Sequence, residues 1–529
     1  MAAAPAASAS TGASSPTPPT SGRWVRARPI FTTASGTSSP RTRCPERSHC
    51  RASPLRRRAT SGAVFLAGME QQNMSASKRP RSEERESMNR QGTRMRRSAA
   101  PQRRLLAAVA AALLLAGCGA ADSDPVADGV GGIIRQLSFT EPAGFSAGTV
   151  PWLVVTGDVN GDGRPDVVTA NVGLGNAGVS VVLNQTEPGA ESPSFAAPRH
   201  LATGILTGIG TLGVALGDIN GDGLVDIIAA NSITAPAAAI SVFISRTPRG
   251  SSELAFEPAR RYTAGIGASL VCPDDVNRDG RMDLIVTNSF DSPARVVSVL
   301  LNQTAAGGDL AFSAPTAFAG GSTPEGMACG DLNGDGLTDI VVGNTSSNEM
   351  TVLLNRTARG ADTPDYAGPF SIASPMATAV KMADFNGDGR LDLITGEGVS
   401  GAGVNIALNL TQNGAMEPAF SELTHFDTQG CVTEDIAVAD YDGDGLLDFA
   451  AANDNALFCA PRPTGVAVLA NRTPRGAAKP EFTEALTYPP GIASNTIAQA
   501  DFNGDGRPDL VAATPTAGAV LRVLFNTSH

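Results

Sequence analysis

One nine-residue pattern, Asp-x-Asn-Gly-Asp-Gly-x-x-Asp, occurs seven times, starting at Asp158, Asp218, Asp275, Asp331, Asp384, Asp440 and Asp501. Successive starts lie 53 to 61 residues apart. Two copies depart slightly: Arg278 replaces the first Gly of the third, and Asp442 replaces Asn in the sixth. Repetition in register limits the chain to an array of like units, each burying its apolar face against its neighbours.

The flanks of the loop repeat as well. An apolar stretch precedes it, as in Trp152–Thr156, Val214–Leu216 and Ile436–Ala439. A second run follows it, as in Val167–Ala170, Ile227–Ala230 and Phe449–Ala452, and then a third, as in Val179–Leu183, Ile240–Ile244 and Val520–Phe525. These runs are rich in Val, Ile, Leu and Ala and too short for helices, so they read as buried strands. A Gly-bearing turn then leads to a weaker fourth segment that opens with Phe195, Phe256, Phe312, Phe370, Phe420 or Phe482. Four strands per unit describe one blade of a propeller. The expected fold is all-β: a seven-bladed β-propeller of four-stranded antiparallel blades. The last unit ends after its third strand, while Leu137–Gly148 reads as a fourth-strand segment. That N-terminal strand is expected to complete the last blade and remove an open sheet edge.

Loops and flanks together resemble FG-GAP/VCBS repeats, the blade unit of the integrin α-subunit propeller and of many exported bacterial proteins. The resemblance covers residues 133–529; the Phe-Gly and Gly-Ala-Pro signatures are degenerate.

Loop positions 1, 3, 5 and 9 place hard oxygens on one side of a tight turn, and the carbonyl of position 7 can add another. Such oxygens suit Ca2+, which takes six to eight ligands, while soft metals favour Cys or His. The candidate ligands are Asp158, Asn160, Asp162, Arg164 and Asp166 in the first loop, and Asp218, Asn220, Asp222, Leu224 and Asp226 in the second. Asp275, Asn277, Asp279, Arg281 and Asp283 follow, then Asp331, Asn333, Asp335, Leu337 and Asp339. The fifth loop offers Asp384, Asn386, Asp388, Arg390 and Asp392; the sixth, Asp440, Asp442, Asp444, Leu446 and Asp448; the seventh, Asp501, Asn503, Asp505, Arg507 and Asp509. Up to seven structural ions are expected, with the third loop the weakest site. The resemblance to integrin Ca2+ loops agrees. A plain Asp/Gly turn without an ion is the alternative.

Charge divides the chain. Residues 1–117 hold 20 Lys+Arg and 5 Asp+Glu, whereas the remainder holds 20 and 46, a net charge of -26. So acidic a body repels nucleic-acid phosphate. Residues 1–94 read as low-complexity leader, disordered or upstream of the true start. Residues 95–117 combine a positive segment with the apolar run Leu105–Gly117, too short to span a bilayer. With Leu115-Ala116-Gly117-Cys118 they resemble a bacterial lipoprotein signal. The resemblance implies lipidation of Cys118, a tether over 118–132, and anchoring in the cell envelope, at the outer membrane or cell surface of a diderm host.

An exported location permits disulfides. The longest second-to-third-strand connection, Asn453–Gly465, holds Cys459, and Cys431 sits at the same end of that blade, so a Cys431–Cys459 bridge is expected. Cys272 and Cys329 lie three and two residues before their loop Asp, on different strand faces, and are expected to stay unpaired.

Asn-x-Thr/Ser recurs at Asn184, Asn302, Asn355, Asn409, Asn471 and Asn526, always after the third strand, which points to a turn cap rather than glycosylation. No nucleophile–base arrangement is recognisable, so the chain is not expected to be an enzyme. The expected function is an exported, lipid-anchored recognition or scaffold module for protein or glycan, monomeric and without nucleic acid. A sugar-binding lectin is the alternative, though the mature part has few aromatic platforms; a polysaccharide hydrolase or lyase is the other.

Overall fold

The computed structural model describes residues 136–529 except 148–149, 173–177, 206–208, 234–238, 306, 399–402, 455–464, 489–493 and 514–519. The chain divides into Met1–Cys118 and Gly119–His529, and every described residue lies in the second unit. The leader, the signal, Cys118 and its tether therefore lie outside the described residues.

The described chain is all-β, with one 3-10 turn at Pro293–Arg295. Its strands fall into seven modules. Each opens with an inner strand that leads into an acidic loop: Val150–Gly157, Gly210–Gly217, Ala268–Asp274, Pro324–Gly330, Ala377–Ala383, Val432–Ala439 and Thr496–Ala500. A second strand returns from the loop and begins on its last Asp, as in Asp166–Val172 and Asp283–Asn288. A third and an outer strand follow, every neighbour antiparallel. Modules 3 to 6 are separate four-stranded sheets, while modules 1 and 2 join through a Val172–Gly210 pair. Module 7 takes Ala143–Ser146 as its fourth strand, with Ala143 opposite Val523 and Ser146 opposite Val520. The strand occupies only part of the Leu137–Gly148 segment. Phe139 forms an isolated bridge to Asn526 instead.

The fourth-strand segments begin later than the Phe residues suggested. Phe195, Phe256, Phe312, Phe420 and Phe482 form single bridges to the cap residue two positions past the third strand, and the outer strand starts beyond them. In module 4 the outer strand is continuous from Tyr366 to Ala373, and Phe370 lies inside it opposite Val352. A large aromatic and a strand start look alike in sequence, because both are apolar and follow a turn.

The core lies between sheets. Seven apolar clusters each join consecutive modules, and one joins module 7 to module 1 through Val154, Val167, Phe502, Val511 and Val523. The second strands are buried on both faces, as in Asp226–Ser232, so they show no alternation. Each such Val, Leu or Ile contributes about 1.5–3 kcal/mol. The inner strand carries a bulge in modules 1 to 6, for instance between Pro151 and Leu153. The bulge turns Trp152 outward, where it is 39% exposed.

Cys272 and Cys329 are both free, as expected. The reason given for it is reversed: they share the apolar cluster between modules 3 and 4. When like sheets stack, the front of one meets the back of the next, so equivalent strands contribute side chains from opposite faces.

The Asn-x-Thr/Ser segment is a turn cap that also bridges modules. Asn302 is buried; its Nδ2 donates to the carbonyls of Ile219 in module 2 and Met282 in its own module, both at 2.9 Å, and its Oδ1 accepts from Thr304 N–H at 3.0 Å. The other cap residues reach the preceding module in the same way: Asn184 to Phe502, Asn355 to Val276, Asn409 to Leu332, Asn471 to Phe385 and Asn526 to Tyr441. An amide nitrogen so enclosed is closed to glycosylation. Substituting Asn302→Ala leaves two carbonyls and one N–H without this partner, and should destabilise the fold by about 2–4 kcal/mol. Equilibrium unfolding in denaturant reads the change, with an unaltered far-UV spectrum.

Candidate metal centre

All seven loops share one backbone design. The glycines at positions 4 and 6 have positive φ, for example +70° at Gly161 and +89° at Gly163. In the third loop Arg278 takes the left-handed conformation with φ +54°, which a side chain disfavours. That loop nevertheless keeps the shared bonds: Asp279 N–H donates to Asp275 Oδ1 at 2.9 Å, and Gly280 N–H to Asp275 Oδ2 at 2.8 Å. In the first loop the equivalent bonds to Asp158 are 3.0 and 2.8 Å. Position 3 accepts from the amide of position 5, and position 5 from the amide of position 7, as in Asn160–Asp162 and Asp162–Arg164. Short Asx turns thus hold the oxygens of positions 1, 3 and 5 on one side of the chain.

Position 2 is a buried apolar plug in every loop: Val159, Ile219, Val276, Leu332, Phe385, Tyr441 and Phe502. Position 9 is the most enclosed acid. Asp166 has no solvent exposure; its Oδ2 accepts from Val159 N–H at 3.0 Å and its Oδ1 from Asn184 N–H at 2.8 Å. The arrangement recurs at Asp226, Asp283, Asp339, Asp392, Asp448 and Asp509. This acid ties its own loop to the end of its own third strand. Burial pushes Asp166, Asp226, Asp283, Asp339, Asp448 and Asp509 up to about 7, and Asp392 to about 6, against the lowering effect of the two amides.

Position 3 also binds the following module. Asn160 Nδ2 donates to Ser251 carbonyl at 3.2 Å, and its own carbonyl accepts from Gly250 N–H at 2.7 Å. Asn277, Asn333, Asn386 and Asn503 repeat both contacts with Ala361 and Gly360, Ala415 and Gly414, Ala477 and Gly476, and Ala190 and Gly189.

An arginine rule escaped the sequence reading. Loops 1, 3, 5 and 7 carry Arg at position 7; loops 2, 4 and 6 carry Leu there and Arg one residue after the cap, at Arg246, Arg356 and Arg472. From either place the guanidinium reaches the position-5 carboxylate: Arg164 to Asp162 at 2.6 Å, Arg246 to Asp222 at 2.8 Å, and Arg472 to Asp444 at 2.9 Å. Arg281 and Arg390 pair with Asp279 and Asp388, and Arg507 lies 3.7 Å from Asp505. Arg356 differs and pairs with Asp365. The strict alternation along the sequence is the signal that could have shown it.

A second polar row also escaped. Five residues after the last loop Asp, Asn171, Asn231, Asn288 and Asn344 are buried and bond to Ser180, Ser241, Ser298 and Thr351 on the third strand. They pin the ends of the first four modules remote from the loops.

In the sixth loop, carboxylate oxygens of Asp440, Asp442 and Asp444 lie within 4.8 Å of one another, a grouping a hard cation could share. Arg472 pairs there with both Asp442 and Asp444 at 2.9 Å. Cys431 is buried and disulfide-bonded, while Cys459 and most of Asn453–Gly465 lie outside the described residues.

Comparison with known proteins places this architecture. A family model for FG-GAP-like repeats matches residues 158–229, 275–342, 331–395 and 440–512, together half of the chain. The protein belongs to the FG-GAP-like repeat family. It is similar to cartilage acidic protein 1 of Homo sapiens, 30% identical over 159 residues, which cover 28% of this chain and 24% of that protein. Cartilage acidic protein 1 of Mus musculus is 26% identical over 321 residues, 57% of this chain and 48% of its own length. The chain thus spans between a quarter and a half of these relatives. Crystal structures of BBS1N in complex with ARL6DN, soaked with lead or mercury, align with TM-scores of 0.42 and 0.43. The identities are 12% and 10%, over 73% of this chain and 96% of theirs.

Ion-free protein should show the buried acids directly. Their pKa is 3.8 when exposed and about 7 in the fold for most of them, so folding takes up protons between those values. Their contribution is fully present below the lower value and lost as pH rises through the upper one. Metal-stripped protein should therefore melt higher at pH 5 than at pH 8, as measured by calorimetry across that range.

Proposed function

We propose that the mature chain is a seven-bladed β-propeller, closed by its N-terminal strand and pinned by Ca2+, that serves as a recognition or scaffold module outside the cytoplasm. The observation that carries this reading is the seven-fold loop lattice, in which each acidic turn is tied to its own sheet and to the module that follows it. A device repeated at every interface suits a scaffold, whereas catalysis needs one distinctive place.

Closure is supported by the pairing of Ala143–Ser146 with Val520–Leu524 and by contact of the first inner strand with the last. Val154 N–H also donates to Thr496 Oγ1 at 3.0 Å, and Thr156 Oγ1 to Gln499 carbonyl at 2.9 Å. Positions 1, 3, 5 and 9 would hold the ions, which supply positive charge to crowded carboxylates. The part from Cys118 onward carries -26; seven divalent ions would halve that. Cys118 would anchor the module to the envelope, as its signal sequence suggests.

Trp152, Ile209 and Phe290 are 39%, 42% and 47% exposed, all at the module end remote from the acidic loops. That end is the one we assign to a protein or glycan partner. The test is a glycan array and a set of envelope-protein fractions probed with the mature chain in Ca2+ and in EGTA. Binding without turnover that falls on Trp152→Ala with Phe290→Ala supports the module; polysaccharide cleavage would move the protein to the hydrolases or lyases.

The ions have a separate test. A ligand that binds only the folded state stabilises it by RT ln(1+[L]/Kd), about 2.7 kcal/mol per site at a hundredfold excess. With Kd near ~10⁻⁴–10⁻³ M, as in extracellular modules, millimolar Ca2+ gives each loop roughly 0.4–1.4 kcal/mol. EGTA should lower the melting temperature by many degrees, and Ca2+ should restore it better than Mg2+. Melting indifferent to EGTA, with no calcium in elemental analysis, would leave these loops as plain turns.

A further inference from the structure

We propose that Cys272 and Cys329 form a disulfide that joins modules 3 and 4 covalently when the protein meets a disulfide oxidant. Cys272 lies on the inner strand Ala268–Asp274 opposite Ile285, and Cys329 on the inner strand Pro324–Gly330 opposite Ile340. Ile285 and Ile340 belong to the single apolar cluster between those modules, and both cysteines pack against it. The two inner strands are neighbours, and their cysteines enter the same apolar cluster from facing sheets. Both are half-buried and free.

The place is set by register. In each module the residue three before the loop faces the next module, and the residue two before it faces the previous one. Val155 and Leu216 share the cluster between modules 1 and 2, and Ala328 and Met382 that between modules 4 and 5. Only the Cys272–Cys329 position offers two thiols among these pairs. No backbone bond other than the connecting outer strand joins the two inner strands, so a covalent link there restrains one interface of the array directly.

The chemistry balances with a small-molecule disulfide as oxidant. One cysteine loses its proton, and its thiolate attacks a sulfur of the oxidant, releasing one thiol and leaving a mixed disulfide. The second thiolate then attacks the protein sulfur of that intermediate and expels the second thiol. Two cysteine thiols are oxidised by two electrons, and one external disulfide is reduced to two thiols. The final S–S bond is about 2.05 Å.

The test uses the full chain, treated with oxidised glutathione, alkylated, and digested with trypsin without reduction. Cys272 lies in the peptide 262–278 and Cys329 in the peptide 296–356, with no other cysteine in either. Oxidation should join these two peptides and lower alkylation of both about tenfold. Cys272→Ser should leave Cys329 alkylatable after the same treatment. The oxidised wild type should melt above oxidised Cys272→Ser, with the bond at Cys431 common to both. Unchanged alkylation of both residues in folded wild type, or linkage of either peptide to a different cysteine or to glutathione alone, overturns the proposal.

Discussion

The structure depends on a buried carboxylate at the end of each acidic loop. Asp166 and its six counterparts are enclosed, and each accepts one amide from its loop and one from the cap that ends its third strand. Hydrogen bonds to a charged acceptor are strong, and a buried donor left without one costs about 1–3 kcal/mol. The acid therefore fixes the loop against its own sheet. The cap residue then points its amide across to the position-2 carbonyl of the preceding loop. The apolar plug at that position sits in the interface core. Intramodular and intermodular order are thus parts of one hydrogen-bond chain.

What holds within one module was legible in the sequence. The loop gives its own start and end, the Val/Ile/Leu runs give the first three strands, and the fixed place of Asn-x-Thr/Ser gives the cap. Relations between modules were harder to read. The Asn at position 3 looks like an ion ligand on a loop considered alone; beside its neighbour, Asn160 is also the donor to Ser251. Cys272 and Cys329 look incompatible by strand alternation and meet because stacked sheets present opposite faces. The arginine that compensates position 5 comes from two different chain positions, so no single column of the repeat reveals it. The outer strands were the least legible, since the Phe that precedes them packs inward: Phe195 stacks on Phe145 at 4.1 Å between ring centres.

Electrostatics sets a limit on such a lattice. Each loop brings at least three carboxylates together, and one guanidinium compensates the position-5 acid in six of the seven. The pairs are largely solvent-facing, where an ion pair contributes about 0–1 kcal/mol. Arginine therefore softens the repulsion among the exposed acids without reaching the acid at position 9, whose raised pKa reflects burial. Loop 4 lacks even this compensation, because Arg356 turns to Asp365.

At position 3 the sixth loop differs from the other six, and the module that follows it differs too. In five loops the Asn at position 3 donates to the turn between third and outer strands of the following module. The sixth loop is followed by module 7, whose outer strand comes from Ala143–Ser146, so no such turn connects its third strand to its fourth. An amide donor has no turn carbonyl to meet there. Asp442 occupies that position instead, and its carboxylate accepts from Arg472 at 2.9 Å. Of the residue types able to keep the position-3 Asx turn, Asp alone adds an acceptor where the donor has lost its purpose. The sixth loop thus carries an acceptor at position 3 beside a module that presents no turn of this kind.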